Sequence, residues 1–349
     1  MSSHAATSPV TTPATRVARK PRVFSGIQPS GNLHLGNYLG AIRNWVAQQD
    51  RYDSIFSIVD LHALSLPTTR ETLRANIRNL ANTLLAAGIN PEQSILFVQS
   101  DVREHAELCW LLGSVTQYGE LRRMTQFKDK TAGKEEESVS AALFMYPVLQ
   151  VADIILYDAD EVPVGEDQKQ HVELTRDVAH RFNQRYGDTF VLPRPDIKEA
   201  GARIMSLDDP TRKMSKSNPN PNSYIALNDP PEVIRRKIRR AVTDSGTEVA
   251  AAPDKPALTN LVTIYAILTG DTLDGVREKF AGQGYGPFKA ALADVIVAAL
   301  EPIQQRMREL EESPEIVDEV LARGAAAARA MAAAKMAIVR ERMGLGGAS

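Results

Sequence analysis

Four polar side chains in two distant segments of the 349-residue chain are suited to binding a nucleotide. His34 and Asn37 flank Gly36 in a turn of small residues, where the missing side chain would let an adenine ring lie against the backbone. Lys213 and Lys216 lie three residues apart in the sequence KMSKS, and a mobile loop with two cations suits a triphosphate. The first segment alone is more typical of a tight turn that exposes a histidine, and the second alone is equally compatible with a solvated surface turn.

The turn around His34 requires a strand before it and a helix after it. Residues 22–26 are predicted to form a buried strand, and apolar residues at helical spacing follow from Gly36. Strand, turn and helix together present free backbone N–H groups and the positive end of a helix to a phosphate. The turn matches neither the GxGxxG pattern of dinucleotide-binding folds nor the GxxxxGK[ST] pattern of P-loops.

Further strands are predicted at residues 54–59 and 94–98, with a helix at residues 69–87 between them. This alternation predicts an α/β fold with a parallel sheet, whose ligands bind at the carboxyl ends of the strands. His34 and Asn37 follow the first of these ends, which favours a nucleotide there.

The composition limits the class of protein. A hydrophobic content of 43% and a charged content of 24% are typical of a soluble globular protein, and the length predicts two domains. A formal net charge of −2 argues against coating of nucleic acid by bulk charge. Cys109 is the single cysteine, so an internal disulfide is excluded, no zinc-site pattern is present, and a reducing cytoplasm is expected. No apolar run approaches the roughly 20 residues that span a membrane.

HLGN and KMSKS, in this order, closely resemble the two signature sequences of class I aminoacyl-tRNA synthetases. The sequences RRMTQFKDK and VPVGEDQKQH are similar to the tryptophanyl branch of that family. The resemblance covers roughly Arg22 to the C-terminus. It implies a Rossmann-like parallel-sheet catalytic domain followed by an α-helical domain, activation of L-tryptophan by ATP with Mg²⁺, transfer to tRNA(Trp), and a homodimer.

The chain is expected to contain a tail and two domains. Residues 1–21 have the composition of a disordered tail, with an organellar transit peptide as the alternative. Residues 22–220 are the expected catalytic domain, with a helical insertion at about residues 101–190 and the lysine loop at residues 213–217. The resemblance implies that residues 221–345 form a helical domain that recognises the anticodon.

The resemblance also implies which residues form the site. The expected catalytic residues are His34, Asn37, Lys213 and Lys216. The residues expected to bind ATP are Gln28, Pro29, Ser30, Gly36, Asn37, Lys130, Gly165, Glu166, Asp167, Ile204, Lys213, Met214, Ser215, Lys216 and Ser217. The residues expected to bind tryptophan are Phe24, Tyr146, Gln150, Asp153, Val162, Val164 and Gln168.

Asp153 lies in an otherwise apolar run, where a carboxylate requires a hydrogen-bond donor. The spacing of Tyr146, Gln150 and Asp153 predicts one face of a helix that Pro147 would open. One interpretation is that Asp153 accepts the indole N–H of tryptophan, a group that only donates. The other is a structural carboxylate that bonds an arginine or caps a helix. A methionine is common in the family where this chain has Gln150, which would make the pocket wall more polar.

Beyond residue 221 the sequence is predicted to be helical. A helix opening at Asp229–Pro231 is expected to carry an apolar stripe of Ile234, Ile238 and Val242 beside a basic stripe that either is solvated or contacts RNA. Three other functions remain open. They are a tyrosyl-tRNA synthetase, a related enzyme that charges a small molecule or carrier protein, and a non-catalytic RNA-binding paralogue.

Overall fold

A five-stranded parallel sheet organises the computed structural model, which describes residues 19–125, 139–163, 165, 168–196 and 203–346. The strands are β1 (Arg22–Ile27), β2 (Asp53–Ile58), β3 (Ser94–Val98), β4 (Glu161–Pro163) and β5 (Arg194–Asp196). They lie in the order β3-β2-β1-β4-β5, and every neighbouring pair is parallel. The chain therefore adds β2 and β3 on one side of β1 and then returns to add β4 and β5 on its other side. Such a reversal creates a switch point between β1 and β4, where ligands of open α/β sheets bind.

Helices surround the sheet and make up the regular structure after β5. They are α1 (Leu35–Asn37), α2 (Arg43–Gln48), α3 (Asp60–Ala63), α4 (Arg70–Ala86), α5 (Glu104–Gly113), α6 (Tyr118–Arg123), α7 (Ala141–Ile155), α8 (Lys169–Tyr186), α9 (Pro231–Arg240), α10 (Pro256–Thr269), α11 (Leu273–Lys279), α12 (Tyr285–Glu312) and α13 (Pro314–Met343). A π-helical turn at Tyr38–Ile42 joins α1 to α2. The predicted α/β fold followed by a helical region is confirmed. Over the described ranges, no helix has the length and apolarity needed to cross a membrane.

Two strands were not predicted from the sequence. Both β4 and β5 have only three residues, too few to establish a period-two pattern. Because β4 belongs to the central sheet, the segment expected to be a helical insertion at about residues 101–190 also supplies a sheet strand.

The prediction that Pro147 opens a helix is wrong. Helix α7 begins at Ala141, where the Ser140 side chain accepts from the backbone N–H of Leu143, and Pro147 lies in the interior. An interior proline removes one backbone hydrogen bond. Most residues of α7 from Tyr146 onward are buried, and this apolar burial offsets the lost bond.

The apolar stripe predicted after residue 231 is shorter than expected. Ile234 and Ile238 are buried on α9, but the helix ends at Arg240 and Val242 is 45% exposed. Ala241 leaves the helical conformation, with φ −53° and ψ 138°, so the chain turns away before Val242 can continue the stripe.

Apolar side chains are buried on both faces of the sheet. On β2, Phe56 and Ile58 enter one cluster and Ile55 enters the other, as alternation along a strand requires. The cluster around Phe56 draws buried residues from 33–98 and from 204–320. The predicted boundary at residue 220 therefore does not separate two cores.

Helix α13 covers the sheet at its β3 edge. A Cβ atom on Gly324 would overlap the carbonyl group of Leu96, so the helix lies directly against the backbone of β3. Val317 belongs to the cluster on one face of the sheet and Val339 to the cluster on the other. The helix thus contacts both faces while covering an edge strand.

Candidate active site

The turn after β1 forms the first part of the site. The backbone N–H of Ser30 donates to the Gln28 carbonyl at 2.8 Å, and Gly31 has a φ of 102°, in the region that favours glycine. The His34 side chain then caps α1. Its Nδ1 accepts from the backbone N–H of Asn37 at 3.3 Å, and Asn37 Oδ1 accepts from the backbone N–H of His34 at 3.1 Å. This reciprocal capping fixes both predicted catalytic side chains.

Contacts within the chain require a glycine at position 36. A Cβ atom there would lie 3.0 Å from Nδ1 of His34 and 3.3 Å from Cβ of Met214. The His34 ring and Met214 thus lie beside the position where we expected an adenine, and Gly36 stays a predicted ATP contact. The glycine lets the lysine loop approach α1.

The lysine loop, residues 213–217, lies against the turn after β1. At its base, the backbone N–H of Met214 donates to the Ile204 carbonyl at 2.9 Å. Lys216 Nζ donates to the Ser30 carbonyl and lies 3.1 Å from Ser30 Oγ. The two segments singled out by their sequences, 186 positions apart at this contact, thus form one site at the switch point.

Other residues predicted for ATP differ in their exposure. The side chains of Ile204 and Met214 are 1% and 2% exposed and belong to the core. Pro29 is buried, whereas Lys213 and Ser217 are exposed. Lys130, Val164, Glu166 and Asp167 lie outside the described residues.

The helical region also contacts the turn. Residues 33–35 pair with residues 225–227 through backbone hydrogen bonds of 2.8 and 2.9 Å. The Tyr224 ring centre lies 6.3 Å from that of His34, and Lys237 Nζ lies 4.9 Å from the centre of the Tyr224 ring. Helix α9 is thereby connected to a predicted catalytic side chain.

The surroundings of His34 determine its charge. Burial, aided by the positive charges of Lys216 and Lys213, lowers the pKa of His34 to about 4. His34 is therefore neutral near pH 7, which keeps a lone pair on Nδ1 for the N–H of Asn37. Burial also lowers the pKa of Lys216.

Asp153 lies at the centre of a buried polar cluster. Its Oδ1 accepts from Gln99 Nε2 and from His105 Nδ1, both at 2.6 Å, and its Oδ2 accepts from His62 Nε2 at 2.8 Å. The second ring nitrogen of His105 lies 2.7 Å from the Tyr157 hydroxyl. Burial would raise the pKa of Asp153, but the hydrogen bonds and charge of the two histidines outweigh it and hold that pKa well below its usual range.

The residues that bond Asp153 were not predicted from the sequence. We expected a structural Asp153 to bond an arginine or cap a helix, but its donors are histidines and a glutamine. Gln99 follows β3 directly, and His62 lies just beyond β2. Like His34, Gln99 and His62 are polar residues that follow the carboxyl end of a strand, so the same rule could have identified them.

Tyr146 and Gln150 connect α7 to the start of α8. The Tyr146 hydroxyl lies 3.1 Å from His171 Nε2, and its ring centre is 6.3 Å from that of His62. Gln150 Nε2 donates to Gln168 Oε1 at 3.4 Å. These contacts bring four residues predicted for tryptophan into one region. They are Tyr146, Gln150, Gln168 and Asp153, the last of which bonds His62 beside the Tyr146 ring.

Two apolar residues predicted for tryptophan lie in the core beside this cluster. Phe24 stacks on Tyr157 with ring centres 5.7 Å apart and planes 8° apart. Val162, 4% exposed, belongs to the same apolar cluster. The Gly165 carbonyl accepts from the backbone N–H of Gln168 at 2.9 Å.

In the part of the chain that the structure describes, no group of three or more His, Cys, Asp or Glu residues is placed to hold a metal ion.

The parallel sheet, the capped turn at its switch point and the lysine loop against that turn agree with the catalytic domain that the resemblance to class I aminoacyl-tRNA synthetases implies. The family model for class I tRNA synthetases of tryptophan (W) and tyrosine (Y) matches residues 16–301. The chain belongs to this family.

Relatives and solved structures are similar over nearly the whole chain. A tryptophan–tRNA ligase from Caldanaerobacter subterraneus subsp. tengcongensis is 54% identical over 325 residues, which are 93% of this chain and 98% of that protein. The crystal structure of tryptophanyl-tRNA synthetase from Mycoplasma pneumoniae has a TM-score of 0.86 at 37% identity and covers 94% of this chain and 99% of its own. The enzyme from Campylobacter jejuni, complexed with ADP and tryptophan, has a TM-score of 0.80 at 36% identity, with coverages of 93% and 100%.

Proposed function

We propose that this chain is a tryptophan–tRNA ligase. It activates L-tryptophan with ATP to form tryptophanyl-adenylate and transfers the tryptophanyl group to tRNA(Trp). The observation that carries the proposal is the contact between Lys216 and Ser30, which brings the lysine loop onto the turn at the switch point. The choice of tryptophan is supported by the 54% identical ligase and by the similar structure that holds ADP and tryptophan.

The first step needs positioning and charge stabilisation. A carboxylate oxygen of tryptophan attacks the α-phosphorus of Mg²⁺·ATP. The new O–P bond forms as the bond to the oxygen bridging the α- and β-phosphates breaks, and pyrophosphate leaves. This step requires no proton transfer to the protein, so the site holds the reactants and neutralises the departing charge.

Residues around the switch point are assigned to ATP. Lys213 and Lys216 follow the β- and γ-phosphates as their loop closes. His34, neutral and fixed by its cap, and Asn37 hold the nucleotide together with the turn at Gln28–Ser30. Mg²⁺ enters with ATP as part of the substrate.

The cluster on α7 is assigned to tryptophan. Oδ2 of Asp153 accepts the hydrogen bond from His62, and we assign its second lone pair to the indole N–H. Tyr146 and Gln168 are assigned to the amino group of the substrate, and Phe24 and Val162 to the wall around the indole ring.

The helical region from α9 onward is proposed to recognise the anticodon, and the protein is proposed to work in the cytoplasm, where charged tRNA is used. We also propose a homodimer. Exposed large apolar side chains support an interface, among them Trp110 at 81%, Tyr118 at 66% and Leu64 at 52% exposure. Sedimentation equilibrium tests the dimer, and a monomer at all concentrations would contradict it.

ATP–pyrophosphate exchange without tRNA tests the proposed activation step. Purified protein is assayed in parallel with tryptophan and with tyrosine, and we expect exchange with tryptophan alone. Exchange with tyrosine would leave the synthetase class intact and overturn the assigned substrate. Folded protein that exchanges with neither amino acid would contradict the ligase and favour the carrier-charging or non-catalytic alternative.

A further inference from the structure

Asp153 is held by a side chain that is itself inaccessible. His105 has no exposed surface, and its Nδ1 lies 2.6 Å from Asp153 Oδ1. An ionised carboxylate only accepts hydrogen bonds, so Nδ1 of His105 must carry a proton and donate it to this contact. His62, the donor to the other oxygen, keeps 8% of its side chain exposed.

The ring of His105 has a fixed orientation. The Tyr157 hydroxyl lies 2.7 Å from Nε2, and the Phe97 ring centre lies 5.8 Å from that of the imidazole. At Nε2 a neutral imidazole accepts the bond from the Tyr157 hydroxyl and an imidazolium donates to its oxygen, and in both forms Nδ1 carries the proton that bonds Asp153. His105 joins α5 to α7 and fixes one oxygen of Asp153, so the other oxygen has a fixed direction.

We propose that His105 is a positioning residue that directs the Asp153 carboxylate toward the indole N–H and thereby sets the preference for tryptophan. The inference rests on the proposed function, because only an enzyme that activates tryptophan uses this contact. A carboxylate rotates about its last side-chain bond unless a donor holds it. The bond from His105, whose ring is itself held by Tyr157, restrains Oδ1 together with the bond from Gln99 Nε2, from a position that no substrate reaches.

Two amide variants of His105 separate positioning from packing. In His105→Asn the side-chain N–H₂ group occupies the place of Nδ1 and continues to donate to Asp153. In His105→Gln the longer amide occupies the place of Nε2, which keeps the contact with Tyr157 and loses the donor to Asp153. KM and kcat of ATP–pyrophosphate exchange are measured with tryptophan and with its benzothiophene analogue, in which sulfur replaces the indole N–H. Thermal unfolding verifies that each variant is folded.

The wild-type enzyme is expected to prefer tryptophan over the analogue. His105→Gln is expected to raise KM for tryptophan about tenfold to a hundredfold, the range of a lost hydrogen bond to a charged group, and to leave KM for the analogue and for ATP unchanged. His105→Asn is expected to stay within about threefold of the wild type, because its hydrogen bond to Asp153 is kept. Should His105→Gln not fold, Tyr157→Phe replaces it, with a smaller rise for tryptophan and none for the analogue.

Several results would overturn the inference. Equal rises of both KM values in His105→Gln, or equal behaviour of the Asn and Gln variants, would show that His105 only supports the fold. A wild-type enzyme that activates tryptophan and the analogue equally well would show that Asp153 does not read the indole N–H, while the proposed function would survive. A wild-type enzyme that activates neither would overturn the proposed function itself.

Discussion

Lys213 and Lys216 have different surroundings although three positions separate them. Lys216 is half buried and bonds Ser30 in the turn after β1, whereas Lys213 is exposed. A triphosphate at the switch point would replace Ser30 as the partner of Lys216 and would attract Lys213 from solvent. Both cations would then meet the negative charge that develops on the leaving pyrophosphate.

Removal of either cation should slow adenylate formation more than it weakens tryptophan binding. For Lys213→Ala and Lys216→Ala we expect a rate loss of about a hundredfold or more, since each cation acts mainly in the transition state. Single-turnover formation of the adenylate measures the rate, and equilibrium binding measures tryptophan affinity. Arg212→Ala, which removes an exposed cation beside the loop, is the matched control and should keep a rate near that of the wild type. Equal losses of rate and of tryptophan affinity would contradict these roles.

His34 should make stability depend on pH. Its pKa is about 4 in the folded protein against about 6.5 in an unfolded chain, so the unfolded state binds more protons between these values. The stabilisation is fully present above about pH 6.5 and is lost as the pH falls toward 4, by on the order of 3 kcal/mol.

Urea unfolding at about pH 7 and about pH 4.5 measures this change. The fall in the free energy of unfolding should be smaller in His34→Gln, which cannot titrate there. It should also be smaller in Lys216→Met, because loss of that charge raises the pKa of His34. An identical fall in the wild type and both variants would assign the acid sensitivity to other groups.

Sequence alone predicted the residues that lie in short distinctive segments. His34 and Lys216 could be found because their neighbours along the chain carry the pattern. The histidines around Asp153 could not be found in this way. His62 and His105 come from different elements, and only the tertiary fold brings them to one carboxylate.

At the scale of elements, residues 224–229 link the turn after β1 to the helical region. Asp229 Oδ2 accepts from the backbone N–H of Ala226 at 2.9 Å and from Lys237 Nζ at 2.6 Å. Gln304 Nε2 donates to the carbonyl groups of Leu227 and Asp229 at 2.8 and 2.9 Å. Helices α9 and α12 therefore hold the segment that pairs with residues 33–35.

Breaking this buried ion pair should destabilise the protein. Lys237→Met leaves the Asp229 carboxylate, 15% exposed, without its cation, and we expect the free energy of unfolding to fall by about 3 kcal/mol. Arg235→Met removes an exposed ion pair with Asp294 from the same helix and should cost less than about 1 kcal/mol. Chemical denaturation measures both, and equal effects would show that burial does not distinguish the two pairs.

Element prediction succeeded where a pattern extends over several residues. β1, β2, β3 and α4 were predicted because each has enough residues to show its period and its ends. β4 and β5 were not, because a three-residue strand is defined by its neighbours in the sheet rather than by its own sequence.

At the scale of the whole molecule, stability depends on how closely α13 packs against the edge of the sheet. Gly324→Ala should lower the free energy of unfolding by about 3 kcal/mol, because the added methyl group overlaps the backbone at Leu96 and the helix must move. The same substitution at Gly286, which has open space around it in α12, should be neutral or stabilise by up to about 1 kcal/mol. Thermal or urea unfolding compares the two, and equal effects would contradict a close contact at β3.

The position of α13 also affects how the protein folds during synthesis. Strands β1–β3 leave the ribosome long before residues 314–343 are made, by roughly 10 to 40 s at about 5 to 20 residues per second. During that interval β3 presents an unpaired strand edge beside apolar surface, which is a template for association with other chains. Nascent chains therefore carry this exposed edge until α13 emerges, and products of early termination keep it permanently.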